Sequence, residues 1–467
     1  MFSFLNFFRN NNKPPENLPI QMQEYNKSRY TKNLSAFCHA PSVNMYFAQD
    51  GQVKLCCHNM EYSIGRYPEQ SIEEIWNSEA AEKIRKDMKD YSLFKECNIC
   101  KADLEIGAFD EVSAKHFDSL PIHPSYPTMM EFLLTNTCNL ECVMCKGEFS
   151  SLIRQNREKL PPIANVYDDA FISQLRPFIP HLREVRFSGS GEAFLIDANY
   201  KIWDMILEIN PQCLIMVQTN GTVLNSRIKD LLIRGNFQIG VSLDSLKKEV
   251  FETIRPHARL ERVIENIHYF SNYSKERKMK FSIAMCVMRQ NWKEMPEFVH
   301  FANSLNATAT FHKVYHPMEF SLQTLSKGEL EEITAFLSNV TLQTETSLQQ
   351  KNAKHFQYLL TLFKKWESEA STVIVENLTD QEMETIVIRQ AEQFFNNNSN
   401  DANEAKLEFE QFQSKFAGMM YRFEKDGKKR KILLQMYRSD FSMIFPYFKQ
   451  FSEEELYALS SQLAPDL

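Results

Sequence analysis

Apolar and polar positions through the middle of the chain switch between two periods. Short runs rich in Val, Ile, Leu, Phe or Met recur at 129–134, 183–188, 213–218, 238–243, 281–288 and 309–315, and each reads as a buried strand. Between them the apolar positions take helical spacing: Leu224, Ile228, Leu231 and Leu232 in one stretch, Leu260, Val263, Ile264, Ile267 and Phe270 in another. Six βα repeats between 127 and about 317 predict a parallel sheet with helical crossovers. In such folds the chemistry gathers at the C-terminal ends of the strands.

The flanks follow other patterns. Residues 1–30 are largely polar after the apolar Met1–Phe8 and read as a flexible lead-in. Val43–Phe47 and the run from Val53 flank Asp50-Gly51, the signature of a hairpin. Ser71 with Glu74 forms a capping box for a helix running to about Met88, with Ile72, Ile75, Trp76, Ala80 and Ile84 at helical spacing. Beyond 320, helices are predicted at Ser326–Phe336 and Ala353–Phe363, a loop at Asn396–Asn400, and a hairpin over Met420–Leu434 turning at Asp426-Gly427. The basic tip Lys428–Lys431 is a solvated turn or a docking point for an acidic substrate.

Length, at 467 residues, allows two or three domains with real cores. A net charge of −7 argues against a nucleic-acid-binding protein. No apolar stretch is long enough to span a membrane, and Met1–Phe8 is too short for a secretory h-region. The expected location is cytoplasmic, where ten cysteines in tight groups are metal ligands rather than disulfides. Glycine is scarce, 12 in all, so Gly189, Gly191 and Gly221 at strand ends mark places where a ligand approaches the backbone.

Cys138, Cys142 and Cys145 stand just past the first of the six strands. Three thiolates leave one iron of a cubane cluster open to a small molecule. A zinc loop is the competing reading, although zinc prefers paired CxxC knuckles. The spacing resembles the radical S-adenosylmethionine (radical SAM) family. That resemblance implies a partial (β/α)6 barrel, a catalytic [4Fe–4S] cluster on these cysteines and S-adenosyl-L-methionine on the open iron. It also implies cleavage to a 5′-deoxyadenosyl radical that abstracts a substrate hydrogen.

Further residues carry the likeness. Phe187-Ser-Gly-Ser-Gly-Glu-Ala-Phe194 resembles the family's Gly-Gly-Glu-Pro motif, with Ser190 at the first glycine and Ala193 at the proline. This implies that Ser190, Gly191 and Glu192 contact the amino group of S-adenosylmethionine. Asn220 is a polar group at a strand end that can bind ribose hydroxyls or the methionine carboxylate; Ser242, Asp244 and Arg255 match positions that bind these groups or substrate, and each of the four reads equally as a cap or turn residue. Met144 replaces the aromatic residue that usually packs on the adenine; a thioether can pack there. Cys213 and Cys286 read as buried structural thiols, with Cys286 a speculative hydrogen-atom donor to a substrate radical.

Cys38, Cys56, Cys57, Cys97 and Cys100 form a second group. With the Asp50-Gly51 turn, the Glu74-Ile-Trp76 helix and the closing CxxC, they resemble the SPASM/twitch domain, which binds an auxiliary [4Fe–4S] cluster. Here that domain, residues 31–115, precedes the barrel, residues 125–318, instead of following it; 319–467 form a mostly helical region without a family likeness. Cys56 is preferred to Cys57 as ligand, and a four-cysteine zinc knuckle is the alternative. The resemblance implies an electron donor such as flavodoxin or ferredoxin. The substrate is read as a peptide or protein, with a sugar or other small molecule as the alternative and a non-catalytic metal scaffold as an alternative of another class.

Overall fold

The apolar runs of the sequence pair into one nine-stranded sheet. The structure is a computed structural model and describes residues 13–15, 17–59, 62–92, 97–105, 107–315, 317–370, 378–398, 401–438, 444, 447–448 and 451–463. Its strands are β1 (Asn44–Phe47), β2 (Gln52–Lys54), β3 (Gly65–Arg66), β4 (Met129–Phe132), β5 (Glu184–Phe187), β6 (Leu214–Thr219), β7 (Asn236–Ser242), β8 (Phe281–Val287) and β9 (Thr308–Lys313). The order is β3-β2-β1-β4-β5-β6-β7-β8-β9. Strands β4 to β9 are the six expected from the apolar runs, each within about two residues of its predicted limits.

The chain divides into two compact units. The first holds 1–243, 251–283 and 305–308, the second 244–250, 284–304 and 309–467.

In the first unit β1 runs parallel to β4, in register Asn44↔Met129 through Phe47↔Phe132. The expected 31–115 hairpin and the barrel strands therefore share one sheet. One face of that sheet is aromatic: Phe47 stacks on Phe132 at 5.4 Å, and Phe132 on Phe187 at 5.1 Å. Helices cover this face, with Phe171 of Asp169–Leu175 against Phe47 and Trp203 of Asp197–Ile209 against Phe187 and Phe237. The alternation of a two-residue period puts the other side chains on the opposite, inner face.

Several local expectations meet a different structure. Residues 1–12 and 16 of the lead-in lie outside the described residues, but Ile20–Ser28 is a helix with Tyr25 fully buried. Behind it Arg29 makes a bidentate, buried ion pair with Asp118, at 3.0 and 2.6 Å. The capping box at Ser71 and Glu74 is present, but the helix stops at Trp76, and Ser78 caps a second one, Glu79–Lys89.

In the second unit, Ser326 and Glu329 cap the helix Lys327–Ser338, and the 353–363 pattern lies within Ser347–Glu369. The loop placed at Asn396–Asn400 starts later, since the helix Asp380–Asn398 continues through 398; 399–400 lie outside the described residues. The hairpin expected over 420–434 is a helix pair, Ala402–Lys425 and Lys429–Arg438. Gly427, at φ 68°, ends the first helix: its N–H reaches Glu424 O and that of Lys428 reaches Phe423 O. Asp-Gly marks a hairpin only between strands, and the spacing of Phe412, Phe416, Met419, Met420 and Phe423 is helical; all five are buried in one core. No described helix is long and apolar enough to cross a membrane.

Candidate active site

Strand β4 ends at Phe132, and the chain from there to Ser150 folds as a loop held by its own polar groups. Ser150 caps the helix Ser151–Asn156, and its hydroxyl also donates to Leu140 O at 2.7 Å. Asn136 Nδ2 donates to Gly147 O at 2.8 Å, closing the loop across its base. Arg157 binds three carbonyls of the cysteine segment: Nη2 to Cys145 O at 2.6 Å, Nη1 to Glu141 O and Cys142 O at 3.4 Å. Glu141 also pairs with His257. A fork of donors on three carbonyls of one loop fixes where the thiols point, at about 0.5–1.5 kcal/mol per bond. Arg157→Ala is expected to lower the iron retained by this loop after gel filtration without changing the other cysteine group. Full retention would show that the clamp is dispensable.

The three thiols share a neighbourhood. Burial pushes the Cys145 thiol up to about 12, and the next causes are Cys142 and Cys138. Burial also raises Cys138, opposed first by the Leu140 N–H. Arg255, buried, brings Nη1 to 3.9 Å from Cys142 Sγ, and Ile254 O accepts from Val143 N–H. Met144 is half-buried between the second and third cysteines.

The turn after β5 meets this loop directly. Gly191, at φ 65°, donates its N–H to Phe149 O at 3.0 Å; a Cβ there would sit 2.7 Å from Thr137 O. The glycine is thus required by the cysteine loop itself. Ser190 Oγ donates to Thr135 O at 3.1 Å. Glu192 N–H binds Thr137 O at 2.7 Å, and its carboxylate accepts from Thr219 Oγ1 and Asn220 N–H, both at 2.6 Å, and from Phe194 N–H at 3.2 Å. It is 1% exposed, and burial raises its pKa despite these bonds. Asn220 Nδ2 donates to Asn139 Oδ1 at 2.9 Å and lies 4.0 Å from Cys138 Sγ. Ser242 accepts from Gln218 Nε2 at 2.9 Å.

The cysteines, Ser190 to Glu192, Asn220 and Arg255 are therefore joined around one loop. Asp244 and Cys286 belong to the second unit: Asp244 Oδ1 accepts the Cys286 N–H at 2.7 Å, and Asn291 Nδ2 donates to both carbonyls. Sequence reasoning did not find Arg157, Asn136, Asn139 or Gln218. Their roles depend on which carbonyls and amides folding brings near them; only Ser150 carried a readable signal, as an N-cap before Ile153.

The second cysteine group also turns inward on itself. Burial raises Cys38, and Cys56 is the next cause, with Cys100 and Cys97 following. Cys56 is pushed up to about 12 and Cys100 to about 11, each by burial first. Burial also raises Cys57, and Glu131 and Cys56 are the next causes. No three His, Cys, Asp or Glu side chains among the described residues converge on a point suited to one metal ion. The fit of both groups to clusters rests on donor chemistry: half-buried thiols set about a shared space are soft ligands that bind iron on losing their protons.

Comparison with known proteins bears on this arrangement. Residues 132–302 match the model of the radical SAM superfamily, and residues 38–101 that of an iron–sulfur cluster-binding domain, SPASM. The chain carries a radical SAM domain over these residues, with a SPASM domain before it. The first implies a [4Fe–4S] cluster and S-adenosylmethionine, the second an auxiliary iron–sulfur cluster.

Curated relatives include the GTP 3′,8-cyclase of Lactiplantibacillus plantarum, 24% identical over 44% of this chain and 60% of that protein. The probable GTP 3′,8-cyclase of Methanosarcina mazei is 31% identical over 30% of this chain and 41% of its own length. The chain thus covers less than two thirds of these two relatives. Among solved structures, Streptococcus suis SuiB bound to precursor peptide SuiA aligns at 12% identity and TM-score 0.35 over 56% of this chain and 58% of SuiB. Native anSMEcpe with bound AdoMet aligns at 17% identity and TM-score 0.33 over 45% of this chain and 59% of that one.

Proposed function

We propose that Cys138, Cys142 and Cys145 hold the catalytic [4Fe–4S] cluster of a peptide- or protein-modifying radical SAM enzyme. Ser190, Gly191, Glu192, Asn220, Ser242 and Arg255 cradle S-adenosylmethionine, with Met144 beside the adenine. Cys38, Cys56, Cys97 and Cys100 hold the auxiliary cluster; Cys56 is the first thiol among the causes that raise Cys38, which favours it over Cys57. Together the catalytic cluster and S-adenosylmethionine supply a 5′-deoxyadenosyl radical that takes a hydrogen atom from the substrate. The observation that carries this reading is the web of bonds tying Glu192 and Asn220 to the cysteine loop.

The protein's own part is orientation. Glu192 offers a buried carboxylate to the amino group, and Arg255 places positive charge beside Cys142, where thiolate charge gathers. Arg157 holds the loop carbonyls so that the thiols keep one arrangement. A flavodoxin- or ferredoxin-type donor in the cytoplasm would supply electrons. None of the ten cysteines forms a disulfide, which suits a reducing compartment.

The helical region beyond β9 supports a large substrate, because residues from Met383 to Leu456 build a core of their own and extend the available surface. A small-molecule substrate is favoured by the relatives named GTP 3′,8-cyclase. The test is anaerobic. The reconstituted full chain receives S-adenosylmethionine, dithionite and, in separate arms, candidate precursor peptides or GTP, and 5′-deoxyadenosine is measured. A peptide that raises the yield and changes mass supports the main reading. Stimulation by GTP alone replaces it with the second. Absence of 5′-deoxyadenosine in every arm removes both.

A further inference from the structure

The inner face of the sheet carries a charged row that the cofactor cradle does not use. Strand pairing sets Lys54, Tyr46, Glu131, Arg186, Met216 and Gln238 opposite one another across β2, β1, β4, β5, β6 and β7. Paired residues share a face. This face is opposite the Phe47, Phe132 and Phe187 stack that the helices cover. Closed barrel interiors are filled with branched apolar side chains, whereas this row holds two cations and a carboxylate.

Glu131 is buried and accepts from Asn44 Nδ2 at 2.6 Å. Arg186 bonds through Nε to Glu184 Oε1 at 2.5 Å, and its side chain keeps 21% of its surface exposed. Among the described residues, neither terminal nitrogen of Arg186 has a hydrogen-bond partner. A half-buried guanidinium, fixed at Nε and open at both ends of its fork, is built to receive an anionic group of two oxygens. It lies four residues before Ser190, on the strand that leads into the proposed cradle.

We propose that Arg186 anchors a substrate oxyanion, a carboxylate or a phosphate, in the interior of the sheet. This rests on the enzyme reading above for the meaning of "substrate", not for the binding itself. The carboxylate source would be an acidic residue of a peptide, the phosphate source a nucleotide.

The experiment uses the reconstituted full chain and two probes, the peptide Ala-Glu-Ala and GTP. Arginine labelling by phenylglyoxal is read by mass spectrometry, and probe binding by calorimetry. One probe is expected to protect Arg186 from labelling. R186Q is expected to weaken that probe at least about tenfold, R186K to restore part of the loss, and R234Q, a surface control paired with Asp204 and Asp230, to change nothing. The protecting probe identifies the source. If neither probe protects Arg186, or R186Q binds as wild type, the assignment is overturned. Labelling and calorimetry do not require turnover, so a chain that makes no 5′-deoxyadenosine fails the enzyme reading separately.

Discussion

The Cys138→Ala, Cys142→Ala, Cys145→Ala variant is expected to retain about four irons where the wild-type chain retains about eight, and to make no 5′-deoxyadenosine. Each group supplies thiols about its own space: after burial, the causes raising Cys145 are Cys142 and Cys138, and those raising Cys38 are Cys56, Cys100 and Cys97. Removing one set leaves the second set's contacts in place. Iron and sulfide analysis beside electron paramagnetic resonance decides it. If the variant loses all its iron, the two groups do not load independently; if it keeps all of it, the first loop never held a cluster.

Glu192→Leu is expected to lose S-adenosylmethionine binding and to unfold more readily than wild type. The carboxylate accepts from Thr219 Oγ1 and Asn220 N–H in a site closed to water. Two donors left unsatisfied cost about 2–6 kcal/mol in sum. Glu192→Gln separates charge from shape: its amide N–H₂ can face only one of these donors without repulsion, so an intermediate loss is expected. The pH dependence separates the variants further. Burial raises the Glu192 pKa, so the folded chain keeps a proton that the unfolded chain has released. Stability then declines as pH rises through the range just above the ordinary carboxylate value, and this part of the slope disappears in Glu192→Gln. Denaturant titration of each variant across that range, with equilibrium dialysis of S-adenosylmethionine, provides the check. A Glu192→Leu chain as stable as wild type would remove the hydrogen-bond role.

The six barrel strands were legible because each is a short run rich in apolar residues between turn signals. The capping boxes at Ser71 and Ser326 were legible or nearly so because they are local. Failures came where one local signal has two outcomes. Asp426-Gly427 ends a helix as readily as it turns a hairpin, and Ser78 inside a helical pattern started a new helix. The metal-ligand candidates were visible as spacing, yet their supports were not. Arg157 grips the cysteine loop from 12 residues beyond Cys145, and nothing in its neighbours marks it. The pairing of β1 with β4 was equally invisible, since 82 residues separate Phe47 from Met129 and parallel pairing leaves no turn to announce it.

That pairing has a practical consequence for dissecting the protein. A fragment starting near residue 125 would retain the superfamily match yet strip β1 from β4. The strand leading into the cysteines would become a bare sheet edge, with unpaired amides and the buried Glu131 laid open beside it. Such an edge recruits other strands. Truncation at this boundary is thus expected to yield aggregates rather than a smaller working enzyme, and partners or tags are better joined elsewhere.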